Sequence, residues 1–265
     1  MNSEIEQKEQ KEEKQLLFFH INGDPYIEMW NMLYQTIVND KSRPKNLNLL
    51  VISTKEWVEK IKKADEKKTE IPIHYHLTEY NSYLGGYSGK LDIIDWININ
   101  EYDKIIYFDT DILVSNGGLG KAFEIIKDKD IVYGCIESYH FTKPWFYHKY
   151  VYSDEETNKI SSGKNTNGIN TGCWGWINYP DCKVQKQLKE IRDNIYVKSK
   201  VIKTDAAEQP YINHRWLVDG NFEYGMSEVV TLFPENNCGN IRFKIFHFIG
   251  ENKINRMRNF IGKCI

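Results

Sequence analysis

The chain has 265 residues, with 35 Lys or Arg against 37 Asp or Glu, so its formal charge is 35 − 37 = −2. That balance excludes a basic field for nucleic acid or anionic lipid, and 41% hydrophobic with 27% charged residues excludes a wholly disordered chain. No apolar run reaches the roughly 18 residues of a membrane span, and five cysteines in no C-x-x-C pattern indicate neither a disulfide framework nor a zinc knuckle. The first apolar run, Leu16 to Ile21, is too short for a signal segment and follows an acidic leader, so a reducing, cytoplasmic setting is expected.

Residues 1–15 are almost entirely polar and read as a flexible tail, with one domain expected over 16–265. LLFFHI from Leu16 reads as a buried strand, broken by Asn22-Gly23-Asp24-Pro25. A helix is expected over Tyr26 to Val38, a strand over Asn48 to Ser53, a helix from about Thr54 to Lys63 and a strand over Ile71 to Leu77. Gly85-Gly86-Tyr87-Ser88-Gly89 opens a helix whose apolar positions Leu91, Ile94 and Ile97 recur every three residues. Lys104 to Phe108 (KIIYF) is the strongest buried strand, and Ile131 to Ile136 is another. A helix beginning near Asp181 carries Val184, Leu188, Ile191 and Ile195 on one face. Alternating strands and helices predict a three-layer α/β domain, a mainly parallel sheet flanked by helices.

In such sheets ligands sit beyond the carboxyl ends of the strands. Asp109-Thr110-Asp111 falls there, directly after KIIYF. In extended chain, Asp109 and Asp111 would share a face with Cα atoms about 6.6 Å apart. Two carboxylates that close repel unless a cation lies between them, and a hard divalent ion could also bind phosphate oxygens. A solvated acidic turn is the plain alternative.

Lys90-Leu91, Trp96 and KIIYFDTDILV together resemble the donor-site block of glycosyltransferase family 8, whose members include glycogenin and bacterial lipopolysaccharide galactosyltransferases. Further blocks follow in the family's order. Asn170-Thr171-Gly172 resembles its N-[ST]-G turn before a strand, Asp205-Ala206-Ala207-Glu208-Gln209 its D-x-x-D-Q segment, and His247-Phe248-Ile249-Gly250 with Lys253 its H-F-x-G-x-x-K ending. The resemblance implies a single GT-A type, Rossmann-like domain and a retaining, metal-dependent transfer of a hexose from a UDP-sugar to a glycan or protein hydroxyl. UDP-glucose or UDP-galactose is favoured, and UDP-N-acetylglucosamine also fits. It implies Asp109, Asp111 and His247 as ligands of Mn²⁺ or Mg²⁺, and Asp205, Glu208 and Gln209 at the donor sugar. Substrate binding would fall to Lys90, Asp109, Thr110, Asn170, Thr171, Gly172, Gly250 and Lys253. No nucleic-acid partner or membrane span is expected; a homodimer is left open.

Glu208 stands where the family has the commoner aspartate, and Ile254-Asn255 replaces the Pro-Trp that often follows its final lysine. Asp205-x-x-Glu208 also reads as a helix-capping box, but Pro210 would then sit inside the helix. A helix starting near Gln209 puts Pro210 in its first turn instead. The long stretch at about 136–169, with Tyr139, Trp145, Phe146, Tyr147, Tyr150 and Tyr152, is expected either as an acceptor-facing flap or as a packed subdomain. Two further readings stay open: an inactive nucleotide-sugar-binding or assembly subunit, and a D-x-D phosphatase with an aspartyl nucleophile, which Ile112-Leu113 and the late position fit poorly.

Overall fold

The structure, a computed structural model, describes residues 12–79, 88–143, 147, 151–163, 166–198, 208–234, 242 and 244–264. Asp205, Ala206, Ala207, Gly85, Gly86, Tyr87, Trp145, Phe146, Tyr150 and most of the polar leader lie outside the described residues.

Seven strands form one sheet: β1 (Gln15–His20), β2 (Leu47–Ser53), β3 (Ile73–Leu77), β4 (Lys104–Phe108), β6 (Val132–His140), β7 (Asn167–Ile177) and β8 (Phe222–Glu223). Their order is β3-β2-β1-β4-β7-β6-β8. β1 to β4 run parallel, β7 is antiparallel to both β4 and β6, and β8 is parallel to β6. The first strands are apolar on both faces because both faces are covered. Alternate residues supply the two cores. Leu16, Phe18, Leu50, Ile52, Ile105 and Tyr107 enter one, and Leu17, Phe19, Leu49, Val51, Ile106 and Phe108 the other.

The second core is closed by α1 (Asp24–Asn39) and α3 (Gly118–Ile125), with α2 (Lys55–Asp65) packed beside them. α1 starts two residues before the predicted Tyr26, with Pro25 in its first turn. The first core is closed by α5 (Lys183–Lys198), α6 (Gln209–Asp219) and a 3₁₀ segment, Gly89–Asp95. That 3₁₀ segment stands where a helix with three-residue apolar spacing was expected, and three residues per turn is its natural period. Leu91 is fully buried, whereas Ile97 lies past the end and is 90% exposed. Val184, Leu188, Ile191 and Ile195 are all buried on α5, as their spacing predicts.

A second, three-stranded sheet, β5 (Ile112–Val114), β10 (Ile245–His247) and β9 (Val230–Leu232), joins distant segments. β10 pairs antiparallel with β5, placing His247 opposite Ile112. The last helix, α7 (Lys253–Cys264), covers this sheet through Met257 and Phe260, which pack with Leu113, Phe246, Phe248 and Met29.

In the 136–169 region, α4 (Asp154–Ser161) opens with a full capping box, Ser153 with Glu156. Tyr152 is buried and Tyr147 packs against the same core, so these two rings build structure rather than an exposed flap. No helix among the described residues is long and apolar enough to cross a membrane. Cys135, Cys173 and Cys182 are free and buried, whereas Cys264 is disulfide-bonded.

Candidate active site

The chain order of the sheet reverses at β1. β2 and β3 lie to one side of it, and β4 is laid down on the other. The carboxyl ends of β1 and β4 therefore flank a topological switch point, where open α/β sheets form their crevices. Asp109 follows β4 there, and its N–H donates to Gly172 O at 2.8 Å. The chain then turns at Thr110 and Asp111 instead of staying extended, which corrects the extended geometry expected for D-x-D. The β5–β10 pairing brings His247 back across 247 − 111 = 136 residues to meet this turn, and Phe248 N–H donates to Asp111 O at 2.9 Å.

Asp109, Asp111 and His247 each offer one ligand atom within 4.8 Å of the others. His247 Nε2 lies 3.1 Å from Asp111 Oδ1 and 3.8 Å from Asp109 Oδ2. Asp111 Oδ1 is buried without an aligned hydrogen-bond partner among the described residues, and so is His247 Nδ1. An orphaned carboxylate oxygen facing a second carboxylate and an imidazole fits a divalent cation. Burial would raise the Asp111 pKa, but His247 and then Lys253 outweigh it and hold the carboxyl well below its usual range. For His247, burial lowers the pKa, and the Asp111 carboxylate more than reverses that, so the net shift is upward.

Lys253, at the start of α7, places its ammonium on Asp111 Oδ2. It follows Gly250, whose φ of 98° suits a residue without a side chain. Lys90, from the 3₁₀ segment, is only 3% exposed. Its Nζ lies 2.7 Å from Glu208 Oε1 and 3.6 Å from Asp109 Oδ1, and donates to Thr171 O at 3.3 Å. The Tyr107 ring lies beneath it, and Tyr107 Oη donates to Asp109 Oδ1 at 2.5 Å. Burial alone would lower the Lys90 pKa, yet Asp109 and Glu208 reverse this and keep it raised.

Asn170, Thr171 and Gly172 lie inside β7, not in a turn before it. β4 and the site press against this strand at Gly172, so no side chain is tolerated at that position. A Cβ on Gly172 would come within 2.3 Å of His247 Cε1 and 2.6 Å of Asp109 Oδ2. Thr171 Oγ1 reaches Glu208 Oε1 at 3.4 Å and Gln209 Oε1 at 3.3 Å. Thr110 is buried at the turn. Of the expected site residues, the structure thus gathers Lys90, Asp109, Thr110, Asp111, Thr171, Gly172, Glu208, Gln209, His247 and Lys253 around the carboxyl end of β4.

Four further residues at the site were not among the expected site residues. Glu137 on β6 accepts from Asn170 Nδ2 at 3.0 Å, and burial raises its pKa. Tyr107 was legible, since it lies two residues before Asp109 on one strand. His20 ends β1, where burial and then the Lys90 charge lower its pKa to about 4, so its ring is neutral. Asn213, fully buried on α6, accepts from Ile169 N at 2.7 Å and donates to Ile169 O and Gln209 O at 3.0 Å each. It thereby registers the first turn of α6, with Glu208 and Gln209, against β7. Asn213→Ala leaves two backbone groups of Ile169 unpaired, so a loss of about 2–3 kcal/mol in urea-unfolding stability is expected. A loss below about 1 kcal/mol would show that α6 is held by packing alone.

No family profile matches the sequence, and no curated protein matches it at a significant level. Solved structures do resemble it. One is WbbM, described as a bifunctional glycosyltransferase in its apo form, with a TM-score of 0.61 and 14% identity over 96% of this chain. The chain spans 50% of WbbM. Another is the galactosyltransferase LgtC in complex with donor and acceptor sugar analogues, with a TM-score of 0.60 and 13% identity over 94% of this chain and 96% of that one. The fold is that of the GT-A glycosyltransferases. At such identities the likeness carries the architecture, and function has to be argued from the site.

Proposed function

We propose that the protein is a retaining, metal-dependent hexosyltransferase that moves a hexose from a UDP-sugar to a hydroxyl of a glycan or protein. The observation that carries this is the convergence of Asp109, Asp111 and His247 with two lysines at the switch point of a GT-A fold. LgtC, a galactosyltransferase solved with donor and acceptor sugar analogues, supports the substrate class. UDP-glucose or UDP-galactose is favoured as donor, with UDP-N-acetylglucosamine next, and Mn²⁺ is preferred over Mg²⁺ for its tolerance of the His247 nitrogen.

In the reaction, the bond between the anomeric carbon and the diphosphate oxygen breaks, a bond to the acceptor oxygen forms, and the acceptor proton passes to the departing phosphate. A bound divalent cation would supply positive charge where negative charge builds on that leaving group. Asp109, Asp111 and His247 would hold it. Lys253 can bind a phosphate oxygen, its net pKa being raised because the neighbouring carboxylates Asp111 and Asp109 outweigh burial. Lys90 has no such freedom, because it is enclosed between Glu208, Asp109 and Thr171 O. Its work is to hold the Glu208 carboxylate in place beside Gln209, whose carboxamide and Asp205 are assigned to the donor sugar. Retention itself rests on the family resemblance, as does the assignment of Asp205.

UDP release from each of the three UDP-sugars, measured with Mn²⁺ and with and without a sugar acceptor, tests the reading. Metal-dependent release that chelation abolishes is expected with at least one donor. Tight UDP binding without turnover on any acceptor would point to the inactive subunit. Hydrolysis of a generic phosphatase substrate in place of transfer would point to the aspartyl-nucleophile reading.

A further inference from the structure

We infer that Lys253 is an exchangeable counter-charge. It competes with the divalent cation for Asp111 until a nucleoside diphosphate draws it away, so cation and diphosphate bind as a coupled pair. The inference rests on the nucleotide-sugar reading and adds how that site is regulated.

Three observations carry it. Asp111 is a fixed, enclosed ligand: its side chain is 4% exposed, Oδ1 faces His247, and Oδ2 is held by the Lys253 ammonium. A cation ligated through either oxygen must meet that ammonium at close range, and like charges so close in a buried setting repel strongly. The two lysines also differ in freedom. The Lys90 side chain is 4% exposed and fastened on three sides, whereas that of Lys253 is 34% exposed. Lys253 sits just after the Gly250 turn and can swing on its stem without moving the backbone.

The third observation is a charge count. The lysines touch three carboxylates, Asp109, Asp111 and Glu208, giving 2 − 3 = −1. A divalent cation alone takes the cluster to −1 + 2 = +1, with Lys253 and the cation crowding one carboxylate. The diphosphate of a nucleotide sugar brings two negative charges and returns the cluster to −1. It also offers Lys253 charge-assisted hydrogen bonds to replace those lost at Asp111. Each ligand therefore removes the obstacle to the other, and linkage makes the coupling equal in both directions.

The test is Mn²⁺ binding by titration calorimetry to the parent, Lys253→Met, Lys253→Gln and Lys253→Arg, without nucleotide, with saturating UDP, and with uridine. Without nucleotide, Lys253→Met and Lys253→Gln are expected to bind Mn²⁺ about ten-fold tighter than the parent, and Lys253→Arg no tighter. UDP should tighten Mn²⁺ binding to the parent by about ten-fold or more, within the usual range of coupled sites, and uridine should not. In Lys253→Met the UDP effect should shrink several-fold. Unchanged or weaker Mn²⁺ binding in both neutral variants, measured on protein with a parental melting curve, overturns the counter-charge. Absence of Mn²⁺ binding to the parent even with UDP would instead overturn the nucleotide-sugar reading beneath it.

Discussion

Gly172→Ala is expected to abolish Mn²⁺-dependent UDP binding and to lower sugar transfer by about 10²-fold or more, while the protein still folds. The added methyl would need space already held by His247 Cε1 at 2.3 Å, Asp109 Oδ2 at 2.6 Å and His247 Nε2 at 2.9 Å. His247 cannot yield, since β10 is paired on one side with β5 and on the other with β9. Asp109 can, because its side chain is 34% exposed. The methyl therefore drives the Asp109 carboxylate away from His247 and breaks the three-ligand cluster. Overpacking of this kind costs about 1–3 kcal/mol in stability, while losing a charged contact that acts in the transition state costs about 2.7 kcal/mol in rate, a factor of about 10². Gly220→Ala is the matched control. Gly220 ends α6 with φ 63° and has nothing within 4 Å of its missing Cβ, so alanine there should cost about 1 kcal/mol in stability and leave transfer unchanged. Equal transfer rates for parent and Gly172→Ala would dismiss the cluster as the site of chemistry.

Why the site could be assembled from sequence, and where that failed, follows from which interactions leave a local trace. KIIYF is apolar on both faces because both faces of β4 are covered, and an acidic turn directly after such a strand is conspicuous. The α6 start at Gln209 was legible from Pro210, whose missing N–H is harmless only in a first turn. By contrast, β5, β9 and β10 have three residues each, too few for any alternation to register. Nothing local announced that they pair, so His247 could be joined to Asp111 only through the family resemblance. Asn170-Thr171-Gly172 has turn chemistry in its residues but lies in mid-strand, because Gly172 answers to contacts from two other segments and not to its own backbone. Lys90 is the sharpest case. A lysine in a polar stretch reads as a solvated charge or a ligand-reaching arm. Its near-complete burial depends on Asp109 and Glu208 arriving from 19 and 118 positions away, by 109 − 90 and 208 − 90. Asn213 left no trace either, being one more polar residue on a helix.

Asp40→Ala is expected to produce the largest loss of stability of any single substitution considered, about 3–4 kcal/mol, through a contact remote from the donor site. Asp40 follows α1 and is 1% exposed. Its Oδ1 accepts from Ser42 N and Ser42 Oγ at 2.8 Å each and from Gly117 N at 2.7 Å, and its Oδ2 accepts from Leu119 N at 2.8 Å. Gly117 is the N-cap of α3 and has no side chain to satisfy the first amides of that helix. The carboxylate of Asp40 does so from across the fold, and its negative charge suits the positive end of the helix. Hydrogen bonds to a charged group contribute about 1.5–3 kcal/mol each, less what water recovers where the site opens. Removing the carboxylate strands buried amides at the start of α3, immediately after β5, the strand that seats His247 against Asp111. Asp40→Asn retains one acceptor oxygen and should lose about half as much. In urea titrations the midpoint should fall in the order parent, Asn, Ala, with an unchanged slope. At low temperature and without urea, the folded fraction of each variant should bind UDP as the parent does, since no donor-site residue has moved. A change of less than about 1 kcal/mol for Asp40→Ala would mean that water replaces the carboxylate at the helix start, and that α3 is held in place by Leu119, Ala122 and Phe123 in the core.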